Sequence, residues 1–103
     1  MAPQPVIDIP SDRIAAFCQR HSIRKLSLFG SVLRDDFRPD SDVDVLVEFE
    51  EGKTPGLIRL AGLEFELSAF LGGRTVDMNT LQCLSRHMRD QVVAEAQVQY
   101  VKV

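Results

Sequence analysis

Several features that mark particular protein classes are scarce in this 103-residue chain. Its two cysteines, Cys18 and Cys83, lie far apart and lack the spacing of metal ligands, so neither a disulfide framework nor a zinc site is indicated. No apolar run approaches the roughly 20 residues that a membrane-spanning helix needs. The first residues contain neither the basic region nor the apolar run of a signal peptide. We therefore expect a cytoplasmic protein with reduced thiols and no membrane partner.

Tryptophan is absent, aromatic residues make up 7% of the chain, and the formal net charge is −3. Proteins that bind nucleic acid without sequence preference usually need a basic face and aromatic side chains for base stacking, so we expect no direct nucleic-acid partner. The length predicts a single domain over residues 1–103. Three prolines within residues 1–10 predict that this first segment is loose.

The spacing of apolar residues predicts alternating helices and strands. Helices are expected at 11–21, 57–71 and 88–96, one or two helical turns at 31–36, and strands at 23–29, 43–49, 75–79 and, as an edge strand, 98–103. This order favours an α/β (α+β) fold in which helices pack on a small mixed sheet.

The strand at 43–49 begins next to a pair of carboxylates. Because side chains alternate along a strand, Asp42 and Asp44 share one face while Val43 and Val45 enter the core. Two carboxylates so close repel each other unless a hard cation lies between them, and Mg²⁺ suits this arrangement. If the strand carrying Asp77 is a neighbour, three carboxylates can hold two Mg²⁺ ions, which serve an in-line phosphoryl displacement.

The preceding strand runs into a Gly-Ser pair followed by a predicted helix start. Gly30 allows a sharp turn and the close approach of a phosphate. The backbone N–H groups at a helix start and the hydroxyl of Ser31 are donors for that phosphate, and Arg34 lies one turn further on. Gly30, Ser31 and Arg34 are therefore the predicted nucleotide-binding residues.

The acidic segment has two other interpretations, a solvated turn and a calcium-binding loop. A solvated acidic turn explains the carboxylates but not the nearby Gly-Ser pair. An EF-hand calcium loop would place Asp40, Asp42, Asp44 and Glu51 at ligand positions, but its sixth position needs glycine and is Val45 here. The β-branched residues that follow also favour a strand over a helix.

These residues resemble the signature of the minimal nucleotidyltransferases of the DNA polymerase β superfamily, which is Gly-Ser, ten residues, then Asp-x-Asp. The chain reads GSVLRDDFRPDSDVDVLVEF from Gly30, and the resemblance extends from about Ile14 to Tyr100. One departure is Met78-Asn79, where a Leu-Val pair is expected. The resemblance implies the polymerase β-like nucleotidyltransferase fold, binding of the triphosphate by Gly30-Ser31, and two Mg²⁺ ions on Asp42, Asp44 and Asp77.

The resemblance also implies an activity and a partner. The small family members are similar to antitoxins that transfer AMP from ATP to a tyrosine of a HEPN-domain toxin. Two alternatives stay open, namely an antitoxin that neutralises its toxin by occlusion alone and an enzyme that modifies a small molecule. Homo- and hetero-oligomers are both compatible with the sequence.

Overall fold

In the computed structural model, residues 9–33, 38 and 41–102 are described, Ser31 by its backbone only. The described part of the chain contains three α-helices and four strands. The helices are α1 (Ser11–Arg20), α2 (Leu57–Phe70) and α3 (Arg86–Glu95), and the strands are β1 (Ile23–Phe29), β2 (Val43–Phe49), β3 (Val76–Asn79) and β4 (Gln97–Val101). Two short 3₁₀ helices, Gly30–Leu33 and Leu81–Cys83, follow β1 and β3; the second was not predicted. The predicted third helix begins two residues earlier than expected.

The four strands form one mixed sheet in the order β3-β2-β1-β4. β1 is antiparallel to both β2 and β4, whereas β2 and β3 are parallel. A parallel pair needs a crossover connection, and α2 provides it. The predicted mixed sheet and the predicted edge position of the last strand are both confirmed.

The main core lies between α1, α2 and one face of the sheet. Val43, Val45 and Val47 of β2 are fully buried there, together with Phe17 of α1 and Leu67 of α2. The strict alternation of valine along β2 directs these side chains to one face, as predicted from the sequence.

The opposite face of the sheet carries a smaller apolar cluster beneath α3. Phe29 of β1 and Leu46 of β2 contact Leu84 and Val92, each less than a tenth exposed. Because Leu46 lies between Val45 and Val47, alternation places it on the same face as Asp44. The face that carries the carboxylates is therefore only partly covered by apolar packing.

Polar contacts tie the two core helices together. Glu66 of α2 is paired with Arg20 and lies 2.6 Å from Nε2 of His21. His21 directly follows α1, so its contact with Glu66 joins the end of α1 to α2. The segment 1–10 was predicted to be loose; residues 1–8 lie outside the described residues, and Ile9 packs against the core. None of the helices in the described ranges is long and apolar enough to cross a bilayer.

Candidate active site

The turn after β1 requires glycine for two reasons. Gly30 has φ +76°, in the left-handed region that side chains other than glycine rarely adopt. A methyl group at this position would also overlap Oδ2 of Asp44 and lie 3.3 Å from its Cγ. The antiparallel register explains this proximity, because Phe29 pairs with Asp44. The Gly-Ser half of the motif and the Asp-x-Asp half therefore meet at Gly30 and Asp44.

Two of the three predicted carboxylates lie on adjacent strands at the same level. Asp44 of β2 is directly in register with Asp77 of β3, and the pair before them is Val43 with Val76. The backbone N–H of Val43 donates to the carbonyl of Thr75 at 2.8 Å, which anchors the start of both strands. Since neighbouring strands lie about 4.8 Å apart, the two carboxylates project side by side on one face.

Of the remaining predicted residues, Asp42 is described in full, Ser31 only by its backbone, and Arg34 not at all. Asp42 immediately precedes β2 and is exposed, whereas Asp44 is half-buried. The backbone of Ser31 lies in the 3₁₀ helix Gly30–Leu33. Arg34, the third predicted nucleotide-binding residue, lies outside the described residues. The structure thus brings together Gly30, Asp44 and Asp77, with Asp42 at the margin.

Across residues 9–33, 38 and 41–102, no three carboxylate, thiol or imidazole side chains are already gathered as a metal-binding cluster. The parallel register places Asp44 and Asp77 side by side on adjacent strands. Oxygen ligands of this kind are those that Mg²⁺ prefers. The donor set fits a hard divalent cation.

A contact that the sequence did not predict holds β3 in place. The carboxylate of Glu64 in α2 accepts a hydrogen bond of 2.6 Å from the backbone N–H of Met78, the residue after Asp77. Glu64 is half-buried. The available signal was its position four residues after Leu60, which places it beside the apolar stripe of the helix. Glu64 thereby satisfies an outward N–H of the edge strand that carries Asp77.

A cysteine lies close to the same strand end. The hydroxyl of Thr80 donates to Sγ of Cys83 at 3.3 Å, and hydrogen bonds from the side chain and backbone of Thr80 lower the pKa of this exposed thiol. Burial and the charge of Asp77 act in the opposite direction but are smaller. Burial in the main core, in contrast, raises the pKa of Cys18 to about 12. Cys83 is therefore the more reactive thiol.

The described residues form cavities away from the carboxylates. A cavity of about 400 Å³ is lined by Arg24, Phe49, Glu50, Glu51 and Lys102. It lies at the far end of the β1–β2 pair, where Ile23 pairs with Phe49. Cavities of about 220 and 140 Å³ lie near the end of β2 and under α3. None of these three cavities is lined by Gly30 or by Asp42, Asp44 or Asp77. The candidate site is therefore defined by the positions of these residues and not by a cavity.

Comparison with known proteins shows the family of the chain. The family described as nucleotidyltransferase domain matches residues 12–97. The protein adenylyltransferase MntA of Thermococcus cleftensis is 39% identical over 77 residues, which are 75% of each chain. The family match at residues 12–97 includes both the Gly30-Ser31 pair and the Asp42 and Asp44 carboxylates.

Solved structures show the same fold. One, provisionally described as a minimal nucleotidyltransferase, is 40% identical with a TM-score of 0.68, covering 84% of this chain and 86% of the other. A chain of a toxin–antitoxin complex solved with AMP-PNP is 21% identical with a TM-score of 0.73, covering 91% of this chain and 75% of the other. The second likeness concerns the fold alone.

Proposed function

Because this chain belongs to the nucleotidyltransferase-domain family and is a nucleotidyltransferase, we propose that it transfers AMP from ATP to a hydroxyl group of a partner protein. The observation that carries the proposal is the parallel register of Asp44 with Asp77 beside Gly30. Carboxylates on two strands next to a glycine turn provide a place for a metal ion and for the phosphates that it binds.

In the proposed reaction the acceptor oxygen attacks the α-phosphorus of ATP. A bond forms between the acceptor oxygen and the α-phosphorus. The bond between the α-phosphorus and the oxygen that it shares with the β-phosphorus breaks, and pyrophosphate leaves. Asp77, exposed at the start of β3, is the group proposed to take the proton of the acceptor hydroxyl. The backbone at Gly30 and Ser31 would hold the triphosphate, and Arg34 would add a forked donor.

Asp42, Asp44 and Asp77 are the proposed ligands of two Mg²⁺ ions. When bound, these ions supply charge neutralisation of the triphosphate and of the leaving pyrophosphate. Glycine at position 30 leaves the Asp44 carboxylate room that any side chain would occupy. Asp44 is also tied into β2 by the ladder to β1, so its backbone cannot shift easily. The chain therefore contributes a fixed carboxylate at Asp44 and more exposed ones at Asp42 and Asp77.

The proposed acceptor is a tyrosine of a HEPN-domain toxin, for which this chain would act as antitoxin. Two findings support a protein acceptor. The Thermococcus cleftensis relative is named a protein adenylyltransferase, and the neighbour solved with AMP-PNP belongs to a toxin–antitoxin complex. A tyrosine fits the proton transfer, because a phenolic hydroxyl loses its proton more easily than an aliphatic one.

The test combines the purified chain with the product of the adjacent reading frame and ATP labelled at the α-phosphorus. We expect Mg²⁺-dependent labelling of the partner on tyrosine, none when the label is on the γ-phosphorus, and loss of at least roughly 10³-fold in rate for Asp42→Asn with Asp44→Asn. The matched control is Asp12→Asn, which removes a carboxylate from the first turn of α1. It should retain the native rate.

Three outcomes would contradict the proposal. Labelling that persists in the double variant would remove the carboxylates from the chemistry. Full neutralisation of the toxin by the double variant would favour occlusion without catalysis. Labelling of a small molecule in place of the partner would show that the acceptor is not a protein.

A further inference from the structure

The outward face of α2 is apolar, and the described part of the chain leaves it exposed. Leu57, Ile58 and Phe65 are 81%, 92% and 83% exposed. Ala61, Gly62 and Ala69 lie between and beside them at helical spacing and are also exposed. We call the outward residues Ile58, Ala61, Gly62, Phe65 and Ala69 the α2 stripe; it contains no charged side chain.

The inward face of α2 is equally apolar, with Leu63 and Leu67 in the main core. Arg59, Glu64 and Glu66 lie along the borders between the two faces, so α2 has two separate apolar faces, of which only the inward one is covered in the described part of the chain. Large apolar residues grouped on a surface mark an interaction site, whereas isolated ones do not. The α2 stripe therefore requires a covering surface.

The position of α2 restricts what that covering surface can be. α2 packs on the sheet face that holds Val43 and Val45, whereas alternation places Asp44 on the opposite face. The stripe points away from the sheet on that first side, since the inward residues Leu63 and Leu67 contact the core. A molecule bound to the stripe is thus separated from Asp44 by a helix layer and the sheet. A group that contacts the stripe itself is therefore not within reach of the carboxylates.

We propose that a second copy of this chain covers the α2 stripe, through an antiparallel contact of the two α2 helices about a twofold axis near Gly62. In a twofold interface the same patch meets itself, so a patch without charge avoids self-repulsion. Gly62 has nothing within 4 Å of the place where a Cβ would be, and it lies one turn before Phe65. The Phe65 ring of each copy therefore has the open surface at Ala61 and Gly62 of the other to pack into.

Charges at the border of the stripe favour the antiparallel orientation. Arg59 and Glu66 lie along one border, seven residues apart, and their midpoint falls between Gly62 and Leu63. About an axis at that midpoint, Arg59 of one copy lies opposite Glu66 of the second copy, twice over, where it joins the carboxylate that Arg20 and His21 already contact. A parallel arrangement instead places the border with Glu66 against the border with Glu64, which sets like charges together.

The available area suits a small dimer. Ile58 and Phe65 of the stripe, with Leu57 at its border, each expose on the order of 150 Å² and together supply about 450 Å² per copy. The smaller residues of the stripe increase this area. Weak but specific interfaces bury less than about 600 Å² per partner. We therefore expect a dimer that dissociates on dilution and leaves both sets of carboxylates exposed on its outer sides.

The first measurement is sedimentation velocity of the purified chain without any partner, up to about 100 µM, where a dimer of micromolar Kd is well populated. We expect a dimer for the native chain and a monomer for Phe65→Glu. The matched control Met88→Glu introduces the same charge at an exposed apolar residue of α3 and should stay dimeric. Circular dichroism should show that both variants are folded, since Phe65 is 83% and Met88 49% exposed.

The second measurement tests the orientation by oxidation of single cysteines in a Cys83→Ser background. Gly62→Cys lies near the proposed axis and should cross-link to itself. The two copies of Ala69→Cys would be about 20 Å apart in an antiparallel pair, too far for a disulfide. Efficient cross-linking at position 69 would overturn the antiparallel arrangement.

A native chain that stays monomeric, or a dimer that Phe65→Glu leaves intact, would overturn the proposal. Loss of binding to another protein in Phe65→Glu, with the native chain monomeric, would also overturn it by assigning the stripe to that protein. All three outcomes are independent of nucleotidyl transfer.

Discussion

The two faces of the sheet differ in what covers them. One face is closed by α1 and α2 and buries Val43, Val45 and Val47 completely. The other is covered only in part, by a four-residue cluster with α3, and it carries Asp44 half-buried and Asp77 exposed. Both faces are built from alternate residues of the same strands.

This difference separates stability from chemistry within one short sheet. Apolar packing on the closed face supplies most of the buried area and fixes the strands. The partly covered face is then able to hold charges in reach of water and substrate, which a closed face could not do without a large desolvation cost. The following predictions test that separation, beginning with the largest effect.

Removing the same side chain from each face should cost different amounts of stability. Leu67→Ala in the main core should lower the free energy of unfolding by about 4 kcal/mol, and Leu84→Ala in the smaller cluster by about 2 kcal/mol. Leu67 is enclosed on all sides, whereas Leu84 lies at the margin of its cluster. Urea unfolding measures both. Equal losses would show that the two faces contribute alike.

Gly30→Ala should reduce nucleotidyl transfer much more than it reduces stability. The left-handed φ costs about 1–2 kcal/mol for a side chain. The added methyl group also displaces the Asp44 carboxylate, and a displacement of about 1 Å can lower a rate roughly 10²-fold. Gly72→Ala is the matched control, because Gly72 has φ +75° and nothing within 4 Å. It should lose similar stability and keep the native rate; parallel rate losses in both variants would contradict the prediction.

Glu64→Leu should loosen the strand that carries Asp77. The Met78 N–H loses its acceptor, which costs about 1–2 kcal/mol for a charged hydrogen-bond partner. Hydrogen exchange of the Met78 amide should accelerate, while Glu64→Gln, which keeps an acceptor oxygen, should remain close to native. Unchanged exchange in Glu64→Leu would show that another group satisfies this N–H.

Thr80→Val should change the reactivity of Cys83 with almost no effect on stability. The Thr80 hydrogen bonds lower the pKa of this thiol, so more of it is thiolate at a given pH than in an ordinary cysteine. Without the hydroxyl the pKa rises, and the pH profile of labelling by a disulfide reagent should move to higher pH. Cys18, with its pKa raised to about 12 by burial, should react only after unfolding. A profile that does not move in Thr80→Val would exclude the hydroxyl as the cause.

Much of the fold was predictable because local patterns determine it. The alternation along Val43–Phe49 and the helical spacing of Leu63 and Leu67 identified the buried side of each element, and the structure confirms both. The contacts of Glu64 and Glu66 were not predicted, because no local pattern identifies the groups that they bind. Their partners, Met78 and the pair Arg20 and His21, are distant in sequence. The smaller cluster was missed for the same reason, since Leu84 and Val92 meet Phe29 only in the folded chain.

The sequence was enough to predict the family and to propose the residues that carry its chemistry, because a glycine turn and two carboxylates at a fixed spacing are local constraints that one short segment satisfies. The family match over residues 12–97 confirms the family. The fold was needed to show that Asp77 lies beside Asp44. It was also needed to show that the Asp44 carboxylate occupies the space where a side chain at position 30 would lie. Strand order and register depend on pairing between segments that are distant in the sequence. That pairing is determined by core packing and by the entropy of closing the loops between the strands, and no local spacing encodes it. The exposed apolar residues of α2, Ile58 and Phe65, also became evident only from the fold, because the helical spacing identifies the buried face but not what lies on the other one.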